Sequence, residues 1–199
     1  MALKYAVNNS LSAITTLPSS ISGGALNLIS TQTASSSASL EFSMDSTYDS
    51  YVFKFINIHP QTDNVYFTFQ GSTNNGSSYG VTMTTTKFHA VHDEANTTTA
   101  LSYQTAQDLA QSTAFSRFTN EVGNDNDQCC AGTLQIFNPS SSVFVKHYIS
   151  RLNNYYSADY SVDGFSAGYF NTTSPITNLK FQFESGNIDD GIIKMYGVS

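Results

Sequence analysis

From Leu40 to the end of the chain, apolar and polar positions alternate in short runs separated by turn residues, the period-two pattern of half-buried strands. The clearest runs are Tyr51 to His59, Val65 to Gln70, Val81 to His89, Thr133 to Phe137, Val143 to Leu152, Phe165 to Asn171, Leu179 to Glu184 and Ile192 to Val198; Leu40 to Met44 makes a ninth. In Val65-Tyr66-Phe67-Thr68-Phe69 and Leu179-Lys180-Phe181-Gln182-Phe183 the odd positions are apolar, which puts one face on a core and the other near solvent. Two layers of antiparallel sheet follow. The connections carry turn chemistry: His59-Pro60-Gln61-Thr62-Asp63-Asn64, Asn138-Pro139-Ser140-Ser141-Ser142 and the Gly/Ser/Asn stretch from Gly71 to Gly80.

Alternation fails from Ala95 to Asn120, where Leu101, Ala106, Leu109, Ala110 and Ala114 suit one short helix inside a long crossover. Eight or nine strands with such a crossover predict an all-β, jelly-roll-like antiparallel β-sandwich over residues 40–199.

Residues 1–39 read differently. No charged residue occurs between Lys4 and Glu41, and the stretch contains Leu17-Pro18-Ser19-Ser20, Ser22-Gly23-Gly24 and Thr33-Ala34-Ser35-Ser36-Ser37. Disordered segments usually keep high charge and few aliphatics. Here Leu11, Ile14, Leu17, Ile21, Leu26, Leu28 and Ile29 punctuate the polar residues, so the expectation is an extended N-terminal arm that orders along another surface.

Composition narrows the function classes. Apolar residues make up 40% of the chain, enough for a sizeable core, while only 12% are charged, so the surface is polar without being ionic. The net charge is −7 and the basic residues are scattered from Lys4 to Lys194, whereas nucleic-acid binding needs them clustered; no direct nucleic-acid partner is expected. No apolar run approaches a membrane span or a signal-peptide core, so no membrane partner is expected, and folding is expected in a cytoplasm. Adjacent Cys129 and Cys130 can bridge each other only through a strained turn, and they read as small thiols beside a loop.

Few residues suggest chemistry. Gly164-Phe165-Ser166-Ala167-Gly168 matches the G-x-S-x-G pattern of hydrolases, but no helix-forming stretch follows it and the last histidine, His147, precedes it; Ser166 is a remote nucleophile candidate. His89 and His92 are metal-ligand types, yet three residues apart on a strand they point to opposite faces. Asp125 and Asp127, in Gly123-Asn124-Asp125-Asn126-Asp127-Gln128, offer alternating oxygens of the kind calcium favours, without the glutamate of an EF-hand; Asp189-Asp190 is a smaller acidic pair. No phosphate-binding glycine loop occurs, and the expectation is no catalytic residue, no cofactor and no metal. Tyr155, Tyr156 and Tyr160 suit a protein interface better than a sugar platform, since tryptophan is absent.

Several stretches resemble small structural proteins of tailed marine phages, of the kind that infect picocyanobacteria and related oceanic bacteria. They are Leu11 to Pro18, Asp45-Ser46-Thr47-Tyr48-Asp49-Ser50-Tyr51-Val52-Phe53, Phe55-Ile56-Asn57-Ile58-His59-Pro60, Asn138-Pro139-Ser140-Ser141, and the ending Ser185-Gly186-Asn187-Ile188 with Gly191 to Val198. The resemblance implies a non-enzymatic component of the virion exterior, assembled in the host cytoplasm. The uncharged arm favours a capsid decoration or cement protein that packs against copies of itself, as a trimer or larger ring, and against capsid or tail proteins. The alternative is a tail or fibre-associated module that binds a host glycan through exposed tyrosines. Cys129-Cys130 departs from the pattern.

Overall fold

The computed structural model describes residues 26–199, and no helix occurs among them. The strands are β1 (Asn27–Ser37), β2 (Leu40–Ser43), β3 (Ser50–Pro60), β4 (Phe67–Ser72), β5 (Met83–Asp93), β6 (Thr99–Tyr103), β7 (Ser116–Arg117), β8 (Cys130–Phe137), β9 (Lys146–Tyr156), β10 (Tyr160–Phe170), β11 (Asn178–Phe183) and β12 (Ile188–Val198). All ladders are antiparallel. They form an eight-stranded sheet in the order β1-β12-β3-β8-β9-β10-β5-β6 and a four-stranded sheet in the order β2-β11-β4-β7.

The strand order is that of a jelly roll. Taken in chain order, β1, β2, β3, β4, β7, β8, β11 and β12 change sheet at every step but β4 to β7, giving β1-β12-β3-β8 in one and β2-β11-β4-β7 in the other. Two inserted hairpins, β5–β6 and β9–β10, extend the first sheet beyond β8.

The core between the sheets is aromatic because β3, β4 and β11 point Phe53, Phe55, Phe67, Phe69, Phe181 and Phe183 inward. The Phe181 ring lies 5.2 Å from Phe53, 5.2 Å from Phe55, 6.0 Å from Phe42 and 6.3 Å from Phe67, measured between centroids. Phe69 and Phe118 stack at 4.4 Å with planes 4° apart. Such pairs add about 0.5–1.5 kcal/mol each to the area they bury.

Near the start of β12 the ladder with β3 shifts register around Asp190, and Gly191 adopts φ 129° opposite Asn57 at φ 50°. A Cβ on Gly191 would sit 2.7 Å from the Asn57 carbonyl oxygen, so only glycine fits the backbone approach that makes this bulge.

All nine expected strands are present, some with shifted ends, and the remaining elements differ from expectation. The expected helical crossover between Ala95 and Asn120 is corrected to strand and loop. The Asp93 carboxylate accepts from the Thr97 and Thr98 amides, both at 2.8 Å, and turns the chain back as β6 along β5. Beyond it, sheet atoms take the backbone groups a helix would have paired internally: Gln104 N donates to Lys87 O at 2.8 Å, Thr85 N to Leu109 O at 2.8 Å, and Met83 and Ser112 exchange bonds of 2.8 and 3.0 Å. The arm boundary after residue 39 also moves. Residues 27–37 are an edge strand of this chain's own sheet, paired with β12 from Asn27↔Gly197 to Ser37↔Ile188, a ladder that takes the backbone groups facing β12.

Candidate functional site

Where the hairpins widen the sheet, its inner face mixes polar side chains with the buried Met83, Tyr148, Leu152, Val162 and Phe170. On β9, β10 and β5 the inward positions include Ser150, Asn154, Gly164, Ser166, Thr85, Lys87 and His89, while Ile149, Phe165, Ala167, Phe88 and Ala90 point outward. The second sheet covers part of that inner side, Phe69 of β4 packing 4.9 Å from Tyr148 and 6.1 Å from Phe170. The crossover from Gln104 to Val122 lies along the rest, and its backbone and side chains supply many of the polar partners.

Lys87 is at the centre of this polar seam, fully buried, and donates to the Gln107 side-chain oxygen and the Thr119 carbonyl. Burial pulls its amine down to about 7; the Arg117 charge adds to the shift and Glu121 opposes it. His89 has both ring nitrogens occupied: Nδ1 stands 3.0 Å from Asn120 Oδ1, and Gln104 Nε2 donates to Nε2 at 2.9 Å. His92 is exposed on the opposite face, as its spacing requires. Ser166 lies inside β10 rather than on a strand-to-helix turn, 3% exposed, with its hydroxyl 3.4 Å from the Tyr148 hydroxyl.

The outer side of the same strands forms an apolar stripe. Phe88 and Phe165 stack on it, Arg151 lies over Phe165 at 4.8 Å, and a bidentate contact to Asp163 holds that arginine. Ile149 is 59% exposed, and Leu101 and Tyr103 of β6 are 74% and 51% exposed, on the far side of Phe88. In the loop before β9, Val143 and Phe144 are exposed as well. Alternation alone did not reveal the stripe, because both parities of Thr84-Thr85-Thr86-Lys87-Phe88-His89 read as amphipathic. The signal available was Lys87 sharing the parity of Met83.

The other candidates fall in two clefts. One, of about 510 Å³, brings Asp127 and Asn126 together with Asp189, Asp190, Asn57, His59 and Cys129, so two acidic stretches distant in sequence become neighbours. Asp125 is not part of its lining, and His59 Nδ1 is engaged with the Gln128 carbonyl at 2.6 Å. Among the described residues no three His, Cys, Asp or Glu side chains converge as metal ligands. The other cleft, about 300 Å³, is lined by Tyr155, Tyr160, His92, Glu94, Asn153 and Ser161, among others. Tyr155 donates to Glu94 Oε1 at 2.9 Å, and that bond pushes its phenol up to about 12. Tyr156 packs edge-on against Tyr160 at 5.7 Å and does not line the cleft.

Of the expected arm contacts, Leu26, Leu28 and Ile29 are exposed around the start of β1, and Leu11, Ile14, Leu17 and Ile21 lie outside the described residues. No family model matches the chain, and no curated protein or solved structure matches it.

Proposed function

We propose that this chain is a structural subunit of a tailed-phage virion, acting at the capsid exterior as a decoration or cement protein through packing against copies of itself and its neighbours. The observation that carries the reading is the outward apolar stripe of the wide sheet, formed by Phe88, Phe165 and Ile149 on strands that bury Lys87, Ser166 and Ser150 on their other face. Exposed apolar patches of this kind mark protein contact, and the likeness of the sequence to phage structural proteins supplies the setting. Catalysis is no part of the reading. Imaging of purified particles carrying a labelled copy tests it: label over the head supports decoration, and particles without label overturn the virion assignment.

The Tyr155–Tyr160 cleft favours a second reading, a tail or fibre-associated module for host glycans, because aromatic rings beside Glu94 and Asn153 suit sugar faces and hydroxyls. Label confined to the tail, with saturable binding of the purified protein to one defined glycan, selects this reading over decoration.

A further inference from the structure

A sheet edge invites pairing with another chain, and natural edges are kept short, charged, proline-bearing or covered. Three of the four edges here follow that rule. Strand β2 has 4 residues and carries Glu41, β7 has 2 and carries Arg117, and β6 has 5. The fourth, β1, is 11 residues long with the sequence NLISTQTASSS, free of charge and proline. Among the described residues no strand lies on its outer side.

The edge is also rigid. Strand β1 is laddered to β12 along its length, with one irregularity between Leu28 and Ser30. Its far end is tied down by Ser36 Oγ donating to Asp189 Oδ1 at 2.9 Å and by Asn187 Nδ2 donating to the Ser36 carbonyl at 3.0 Å. An edge held this way pays little ordering entropy on docking.

We propose that β1 is a seam for a second copy of this chain, joined antiparallel β1 to β1 about a two-fold axis into one continuous sheet. Identical strands crossing a two-fold axis bring like residues together, so a charged edge would repel itself; β1 has no ionisable residue to do so. Pairing with β6 of another copy would leave more than half of β1 open, since β6 has 5 residues against 11. Each end of the seam receives one Leu28–Ile29 pair, 57% and 42% exposed in the single chain. The inference deepens the reading of a self-packing subunit and rests on it. It makes the smallest assembly a dimer; rings of higher order then need another surface, such as the Phe88–Phe165 stripe.

The test uses the full chain, with mass from light scattering across a concentration series and hydrogen exchange of the β1 amides at both ends of the series. The expected result is a doubling of mass accompanied by new protection of those amides of residues 27–37 that point away from β12. In the double variant Thr33→Lys/Ser35→Lys, two exposed positions, the dimer should weaken at least 100-fold while the thermal midpoint stays near that of the parent. A chain that remains single at all concentrations overturns the seam, whether its β1 amides exchange freely or are protected by its own N-terminal segment. So does a dimer indifferent to the double variant. Incorporation into particles is scored separately, so a seam that fails with incorporation intact leaves the virion reading standing.

Discussion

Phe88 of β5 and Phe165 of β10 lie parallel on the outer face of the wide sheet, centroids 4.8 Å apart and planes 6° from parallel. Adjacent strands present these rings in register, Phe165↔Phe88, with Arg151 opposite Phe165 on the other side. The pair is ordered before any partner arrives, which lowers the entropic cost of contact.

The double variant Phe88→Ser/Ile149→Ser should therefore separate folding from assembly. Both side chains are partly exposed, so the loss of stability should stay within about 2 kcal/mol, mostly the lost stacking. Incorporation into particles should fall at least tenfold. Urea unfolding and quantitative blotting of purified particles read the two effects; normal incorporation would remove the stripe from the assembly surface.

Lys87 gives a pH signature. Its folded value of about 7 lies below the ordinary 10.5, so between those values the unfolded chain binds the extra proton. The cost of burying the charge is complete below pH 7 and fades as pH rises, by at most about 1.4 kcal/mol per unit. Compared with Lys87→Met, the wild type should gain relative stability from pH 7 to 9.5, the cysteines being common to both. Parallel stability curves in urea across that range would contradict the assignment.

Phe181 touches more of the aromatic core than a surface-facing ring could, meeting Phe42, Phe53, Phe55 and Phe67 from both sheets. Phe181→Ala should cost about 3–5 kcal/mol in denaturant unfolding, from lost transfer energy and the cavity left behind. A cost below about 1 kcal/mol would mean that the two sheets close over the gap.

The alternating runs that contain these phenylalanines made the sandwich readable from sequence, since only one parity of Val65 to Phe69 or Leu179 to Phe183 can face a core. Strand β1 escaped because Ser, Thr and Asn fill both of its faces and Ala34 alone is buried among its apolar residues. The helix expectation failed for a related reason: the alanines and leucines of the crossover are spaced for a helix, but Asp93 and the open side of β5 offer their backbone nearer partners. The Tyr-rich segment around Tyr155 makes that residue an interface candidate from sequence. Its pairing with Glu94, 61 positions away in the chain, is a tertiary fact that local pattern does not carry.

The adjacent cysteines are both free, Cys130 buried and Cys129 partly so. Burial raises both thiols; the Asp127 charge adds to the effect at Cys129 and the neighbouring thiol adds to it at Cys130. A disulfide-exchange reagent at pH 7.5 should label at most one thiol in native protein, and that one slowly, but both at once in denaturant. Two fast native thiols would contradict this burial.

The repeated passage of the eight jelly-roll strands between sheets has a kinetic consequence. Partners such as β1 and β12, or β2 and β11, come from opposite ends of the described chain, so neither sheet can close until distant segments have met. The local ladders that need no such search are those of β5 with β6, β8 with β9 and β9 with β10, which makes the added strands the natural place for ordered structure to begin.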